Sequence, residues 1–212
     1  MAVTEHLADL PWAQHLTPAE LPLEPDGDHD GVHFDRVELD GSGGGRFIEC
    51  AFTNSTLAAG RYRRSRLSDV WLADVRVVGA DLAETAWVDA TFLRSVVAGV
   101  QAFGSTWRRI AFQGCKLDSV NLREAHLTDV VFQDCLLRDP DLAGAKLTRV
   151  TFPGTRITGA VLDKATLTGC DLRGAELGIA SGHAALKGTT IDTGQLFDLA
   201  PHLAQHLGIT VT

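Results

Sequence analysis

From Phe47 to Leu177 every fifth residue is apolar. The series holds for 27 consecutive positions, and only Ala102 among them is small. Two residues before each member stands a second restricted set, running from Cys50, Ser55 and Gly60 to Cys170 and Ala175. None of these is charged, and none is larger than Ile110. A five-residue period matches neither the helical repeat of about 3.6 nor the strand repeat of about 2. Short fixed periods mark solenoids, in which each unit buries its apolar side only against its neighbours. Two inward positions in five make one side of a square coil, so four units, or 20 residues, complete a turn. The remaining positions face water and carry the charges and many glycines. Gly79, Gly99, Gly104, Gly114, Gly144, Gly154, Gly159, Gly169 and Gly174 all fall two residues after a central residue. A corner that requires a positive φ selects glycine there.

The pattern resembles the pentapeptide repeat family, whose consensus is A-(D/N)-L-x-x. The chain contains ADLAE at 80–84, VNLRE at 120–124, PDLAG at 140–144, CDLRG at 170–174 and AELGI at 175–179. The resemblance covers residues 45–179 and implies an all-β solenoid, a right-handed quadrilateral parallel β-helix. With coils about 4.8 Å apart, this stretch makes nearly seven turns and a rod of about 32 Å.

The rod needs covered ends, because an open coil exposes a hydrophobic cross-section and unpaired strand edges. Short helical caps are expected at both termini. Thr17-Pro18-Ala19-Glu20 has the form of a capping box with Pro at the first helical position. Leu7, Leu10, Trp12 and Leu16 are available to cover the first coil. At the other end Leu196, Leu199, Leu203 and Leu207 fall on one helical stripe, closed by Gly208. Pro201 is expected to kink or split that helix. The chain therefore divides into an acidic N-terminal cap segment (1–31), a β-helix (32–192, regular over 45–179) and a C-terminal helical cap or dimer segment (193–212). Register shifts are expected near 40–45, where GSGGG bulges from the first coil, and at 178–184.

Charge changes the functional expectation. The formal net charge is −8, yet residues 46–179 contain 17 Lys+Arg against 15 Asp+Glu. The acidity lies in residues 1–45, with ten acidic residues and one basic. The family resemblance implies, as an alternative function, binding of DNA gyrase or topoisomerase IV by mimicry of duplex DNA, giving resistance to topoisomerase poisons. Mimicry requires a continuous anionic stripe. Glu49, Asp69 and Asp89 form a short acidic column that Arg109 interrupts. The primary expectation is therefore a non-catalytic protein-binding or scaffold protein of unspecified partner, without cofactor, direct nucleic-acid binding or membrane association. The C-terminal segment is expected to cap the rod, with a homodimer contact as the alternative that the family resemblance implies. The wall centred on Phe52, Leu72, Phe92, Phe112, Phe132, Phe152 and Leu172 carries few charges outside, and Trp71, Leu93 and Val131 mark it as a candidate partner surface.

Other chemistry has little support. There is no nucleophile motif, phosphate loop or zinc spacing. Asp26, Asp28 and Asp30 match the first half of an EF-hand calcium loop, but its twelfth position is Val37 rather than Glu. His202 and His206 stand at helical i, i+4 spacing without a third ligand, and read as solvated. Arg61, Arg63 and Arg64 form a basic cluster, read as a solvated corner. Cys50, Cys115, Cys135 and Cys170 all occupy the small inward position and read as buried small hydrophobes. No run of 18 apolar residues exists, and MAVTEHLADL lacks a basic region and an apolar signal segment, so a cytoplasmic protein is expected.

Overall fold

The computed structural model describes residues 4–23, 26–39, 45–206 and 208–210. The five-residue units form the walls of a parallel β-solenoid of about seven turns, built as the quadrilateral coil the period demands. Neighbouring coils pair in register at intervals of 20 residues, as in Leu67↔Trp87↔Trp107↔Leu127↔Leu147↔Leu167. Three eight-residue strands, Arg66–Ala73, Ala86–Leu93 and Thr106–Gln113, each run across two walls and bend between them.

The bends share one backbone state. Every fifth residue from Glu49 to Gly174 has a positive φ, whether or not it is glycine. Left-handed backbone costs an L-residue about 1–2 kcal/mol, and Asp and Asn tolerate it better than most. Asp69, Asp74, Asp89, Asp129, Asp134 and Asp139 occupy six of these corners. The corner amides donate to the following coil, for example Gly99 N–H to the Asp118 carbonyl at 2.9 Å.

The interior is a set of ladders. Phe92, Phe112, Phe132 and Phe152 stack with centroids 4.6, 4.9 and 5.2 Å apart, and Phe34 stacks on Phe52 at 4.4 Å. This spacing is that of the strands, so the backbone ladder and the offset ring stack favour the same geometry. The small inward residues fit beside the corner. Ser65, Thr85 and Ser105 donate their hydroxyls at 2.7 Å to carbonyls three residues earlier. All four cysteines are buried and free, and their thiols donate to backbone carbonyls. Burial pushes the Cys50 thiol up to about 11.

The rod starts earlier than the 32 boundary. Strand β2, Asp28–Asp30, already pairs with Arg46–Ile48, and the His29 ring stacks on Phe47 at 4.8 Å. Strand β1, Thr17–Pro18, pairs with β3, Val32–Asp35. The Thr17–Glu20 capping box is therefore not a helix start. The amides of Thr17 and Ala19 donate instead to the carbonyls of Gly31 and His33, and Pro18, which lacks an N–H, sits on an edge strand where none is required. The first coil is 18 residues long, with Phe34↔Phe52 and Leu39↔Leu57 as partners. Residues 40–44, where the Gly-rich bulge is expected, lie outside the described residues. Near the other end, irregular pairing of Ala160↔Ile179 and Val161↔Ser181 coincides with the expected shift at 178–184.

Helix α1, Thr193–His206, follows the last coil. A reciprocal capping box starts it: Gln195 N–H donates to Asp192 Oδ1 and Asp192 N–H to Gln195 Oε1, both at 2.9 Å. The Gln195 amide group also donates to the carbonyls of Leu172 and Ala175, which ties the helix to the final coil. The helix passes through Pro201 as one element rather than splitting. Gly208, at φ 72°, stops it as expected.

The stacked interior yields a stability prediction. Replacing Phe112 by Ala should cost about 3–5 kcal/mol, because the emptied rung removes contacts with both Phe92 and Phe132. Denaturant unfolding of the two proteins measures it. An unchanged midpoint would contradict the stacked register.

Candidate interaction surfaces

The walls carry many of their charges at the corners, where side chains point to water. In-register pairing places residues 20 apart directly above one another, and the sequence uses this to pair them. Arg94 meets Asp74 at 2.8 Å, Arg138 meets Asp118 at 3.2 Å, and Arg149 meets Asp129 at 2.6 Å. Arg109 caps Asp89 with both guanidinium donors. Arg63 and Arg64 both reach Glu84, at 3.0 and 2.9 Å. Exposed pairs of this kind contribute about 0–1 kcal/mol each, so their main effect is on the external field. The Arg109 and Arg149 guanidinia hold Asp89 and Asp129 below the usual carboxylate range through these hydrogen bonds.

The expected acidic column is therefore resolved into two kinds of site. Asp89 is neutralised by Arg109, whereas Glu49 and Asp69 carry no ion pair among the described residues. Partial desolvation pushes Asp69 up, and the nearby charges of Asp89 and Glu49 add to it. The anionic stretch is thus two residues long, and the column then alternates Asp89, Arg109, Asp129, Arg149.

Trp71 and Leu93, expected to face a partner, are only 4% and 1% exposed. The chain's own N-terminal segment covers them. Two single turns of 3-10 helix, Leu7–Asp9 and Ala13–His15, lie along this wall. Trp12, with Leu7, Leu10 and Leu16, packs on Ala51, Trp71, Ala73 and Leu93 as a second apolar cluster outside the rod. Trp71 Nε1 donates to the Thr4 carbonyl at 2.9 Å. These leucines and Trp12 consequently cover a side wall rather than the first coil's open end, whereas Ala19 and Leu23 pack against the axial core. Val131 is half-buried on the same wall. Sequence periodicity gives the direction of a side chain but not what lies over it, which is why this segment was invisible to it.

At the C-terminus the leucine stripe divides. Leu199 is buried at 3% exposure, whereas Leu196 is 49% exposed. Leu203 is half-buried, and Leu207 lies outside the described residues. Phe197, not singled out by the leucine spacing, is 73% exposed. Leu199 thus serves as a cap, and Leu196 and Phe197 face outward.

The remaining candidates lose support. Asp28 and Asp30 both point outward from β2, whose central His29 points in, so this segment is a strand and not a calcium loop. No group of three or more metal-type ligands occurs among the described residues. The His202 ring stacks on His183 at 5.4 Å, and the His206 side chain lies outside the described residues. Two small cavities of about 40 and 30 Å³ lie on the rod axis between the inward ladders and expose only apolar surface. No helix among the described residues is long and apolar enough to cross a membrane.

The architecture defines the class: a β-solenoid of five-residue units with left-handed corners and largely self-paired outer charge. The chain carries a pentapeptide repeat region. The family model described as a pentapeptide repeat region matches residues 105–181. Among solved structures, HetL, a pentapeptide repeat protein involved in heterocyst differentiation regulation from the cyanobacterium Nostoc sp. strain PCC 7120, is similar. It superposes with a TM-score of 0.53 at 17% identity, over 78% of this chain and 87% of HetL. Full-length QnrB1, a plasmid-mediated fluoroquinolone resistance protein, aligns with a TM-score of 0.38 at 19% identity, over 86% of this chain and all of QnrB1. No curated protein sequence matches the chain.

Two predictions concern these surfaces. Replacing Trp12 by Ala should weaken docking of the N-terminal segment by about 3 kcal/mol. Limited proteolysis should then cut within residues 4–16 while circular dichroism of the rod persists, and unchanged resistance to cleavage would refute the docking. For Asp69, the folded state disfavours the ionised form, so its destabilising contribution is present above the raised folded-state value and fades as pH falls through it. Asp69→Asn should raise the unfolding midpoint at neutral pH and lose that advantage in acid. A gain that persists in acid would instead report the better fit of Asn to this left-handed corner.

Proposed function

We propose that this protein is a non-catalytic, cytoplasmic scaffold that binds a protein partner through the outer faces of its rod. The observation that carries the reading is the self-pairing of the corner charges. Arg109 and Arg149 neutralise the acidic column beyond its first two residues, so the rod lacks the continuous anionic stripe that imitation of duplex DNA requires. The gyrase-binding alternative would have to rest on rod shape alone. A neutralised, flat β-surface suits recognition by shape and hydrogen bonding more than by long-range steering.

Self-association belongs to the same reading. Leu196 and Phe197 place exposed apolar side chains on a helix already fixed to the last coil by Gln195. A second copy meeting the first through this helix would bury both in an isologous contact. The C-terminal helix thus combines capping, through Leu199, with dimer formation, through Phe197.

Titration of the protein into a gyrase supercoiling reaction, with and without a fluoroquinolone, separates the two functions. The scaffold reading expects no inhibition and no rescue, and either effect at low micromolar protein would establish the alternative. Sedimentation of the wild type and of Phe197→Asp tests the dimer in the same preparation. The substitution should yield monomer with unchanged circular dichroism.

A further inference from the structure

Arg46 and Arg66 break the charge pattern of the rod. They are direct register partners on adjacent strands, so two like charges stand about 4.8 Å apart along the ladder. Like charges directly opposite one another are destabilising. The corner ladders avoid this by pairing arginine with Asp or Glu, yet neither Arg46 nor Arg66 has an ion pair among the described residues. The ladder continues from Arg66 to Ala86 and Thr106, so no carboxylate stands on that side. On the other side Arg46 is the register partner of Asp28, with which it forms no ion pair.

Arg63 and Arg64 lie beside this pair and share the carboxylate of Glu84, and Arg63 also meets Asp81 at 3.8 Å. All four arginines line one open groove of about 650 Å³, together with Gly45, Asp26 and Asp28. That volume lies within the range of small-molecule sites, about 300–1,000 Å³. Guanidinium groups present paired N–H donors that match a phosphate oxyanion in bidentate fashion. We infer that the groove binds the phosphate group of a small phosphorylated molecule, held between Arg46 and Arg66 with Arg63 and Arg64 completing the cationic side. The bound anion relieves the repulsion between the two stacked arginines. Asp28 acts against it, as a competing carboxylate adjacent to Arg46.

Calorimetric titration with inorganic pyrophosphate, at fixed low ionic strength, tests the site. Saturable binding is expected. Arg66→Ala should weaken it about tenfold or more, the loss of one charge-assisted bidentate contact. Arg94→Ala, which removes an arginine from a paired ladder outside the groove, should leave it unchanged. Asp28→Asn should tighten binding, an outcome that a nonspecific basic surface would not single out. Thermal unfolding without ligand checks folding, since Arg66→Ala removes a repulsion and should not lower the midpoint. Absence of saturable binding, or equal loss in Arg66→Ala and Arg94→Ala, would overturn the site. A short single-stranded oligonucleotide titrated in parallel identifies the phosphate source. Binding of the oligonucleotide without pyrophosphate would overturn the assignment to a small molecule.

Discussion

The in-register parallel ladder constrains everything else in this molecule. Each coil must return after 20 residues with its amides and carbonyls facing those of the next, and this requires four bends of nearly equal geometry. The bends are met by left-handed backbone at every fifth residue. Once the bends are fixed, the central side chains have no choice but to stack. The axis then becomes a column of phenylalanine, leucine and tryptophan at strand spacing. The cost of the left-handed corners is distributed along the rod, and it is offset by hydrogen bonds and stacking repeated at each turn.

The same constraint shapes the outer surface. A corner residue must tolerate positive φ and must face water, which favours Gly, Asp and Asn. Aspartates therefore accumulate in columns about 4.8 Å apart, where identical charges would repel. Arginine in the next coil removes the repulsion and extends back over the preceding corner, as Arg94 does to Asp74 and Arg149 to Asp129. Glycine at Gly114, Gly154 and Gly174 has a similar effect by leaving no charge. Self-neutralisation is thus a solution to a stacking problem before it is a property of any binding site. A rod of this kind becomes strongly acidic only if its arginines are replaced.

Much of the architecture was legible in the sequence because the period is strict and each unit has few environments. The axial series, the small inward set, the corner glycines and the irregularity at 178–184 all follow from counting. The terminal segments were less legible because local signals there compete with tertiary pairing. Thr17-Pro18-Ala19-Glu20 satisfies the local rule for a helix start, yet the open edge of β3 offers two backbone partners, and the segment becomes an edge strand. Asp192-Thr193-Gly194-Gln195 satisfies the same rule where no strand edge competes, and it does start a helix. The ion-pair ladders were also present in the spacing, since Asp74 and Arg94, or Asp129 and Arg149, stand one coil apart. Counting charges by segment hid them, because the sum does not record which charges touch.

Trp71 and Leu93 show where periodicity ends as a guide to function. Both point outward by register, and outward apolar residues on a flat wall ordinarily mark a contact surface. Here the contact is intramolecular: Trp12 and three leucines cover the patch, and the Trp71 indole N–H is satisfied by the Thr4 carbonyl. The wall thus already has an occupant, which would have to leave before any partner could use Trp71 or Leu93. Two proposed contacts need no such rearrangement: the arginine groove near the first coil and the Leu196–Phe197 surface at the last. They lie toward opposite ends of the rod and differ in chemistry, one cationic and one apolar. A rigid solenoid between them would hold two dissimilar contacts at a fixed separation, which is the physical content of the scaffold proposal.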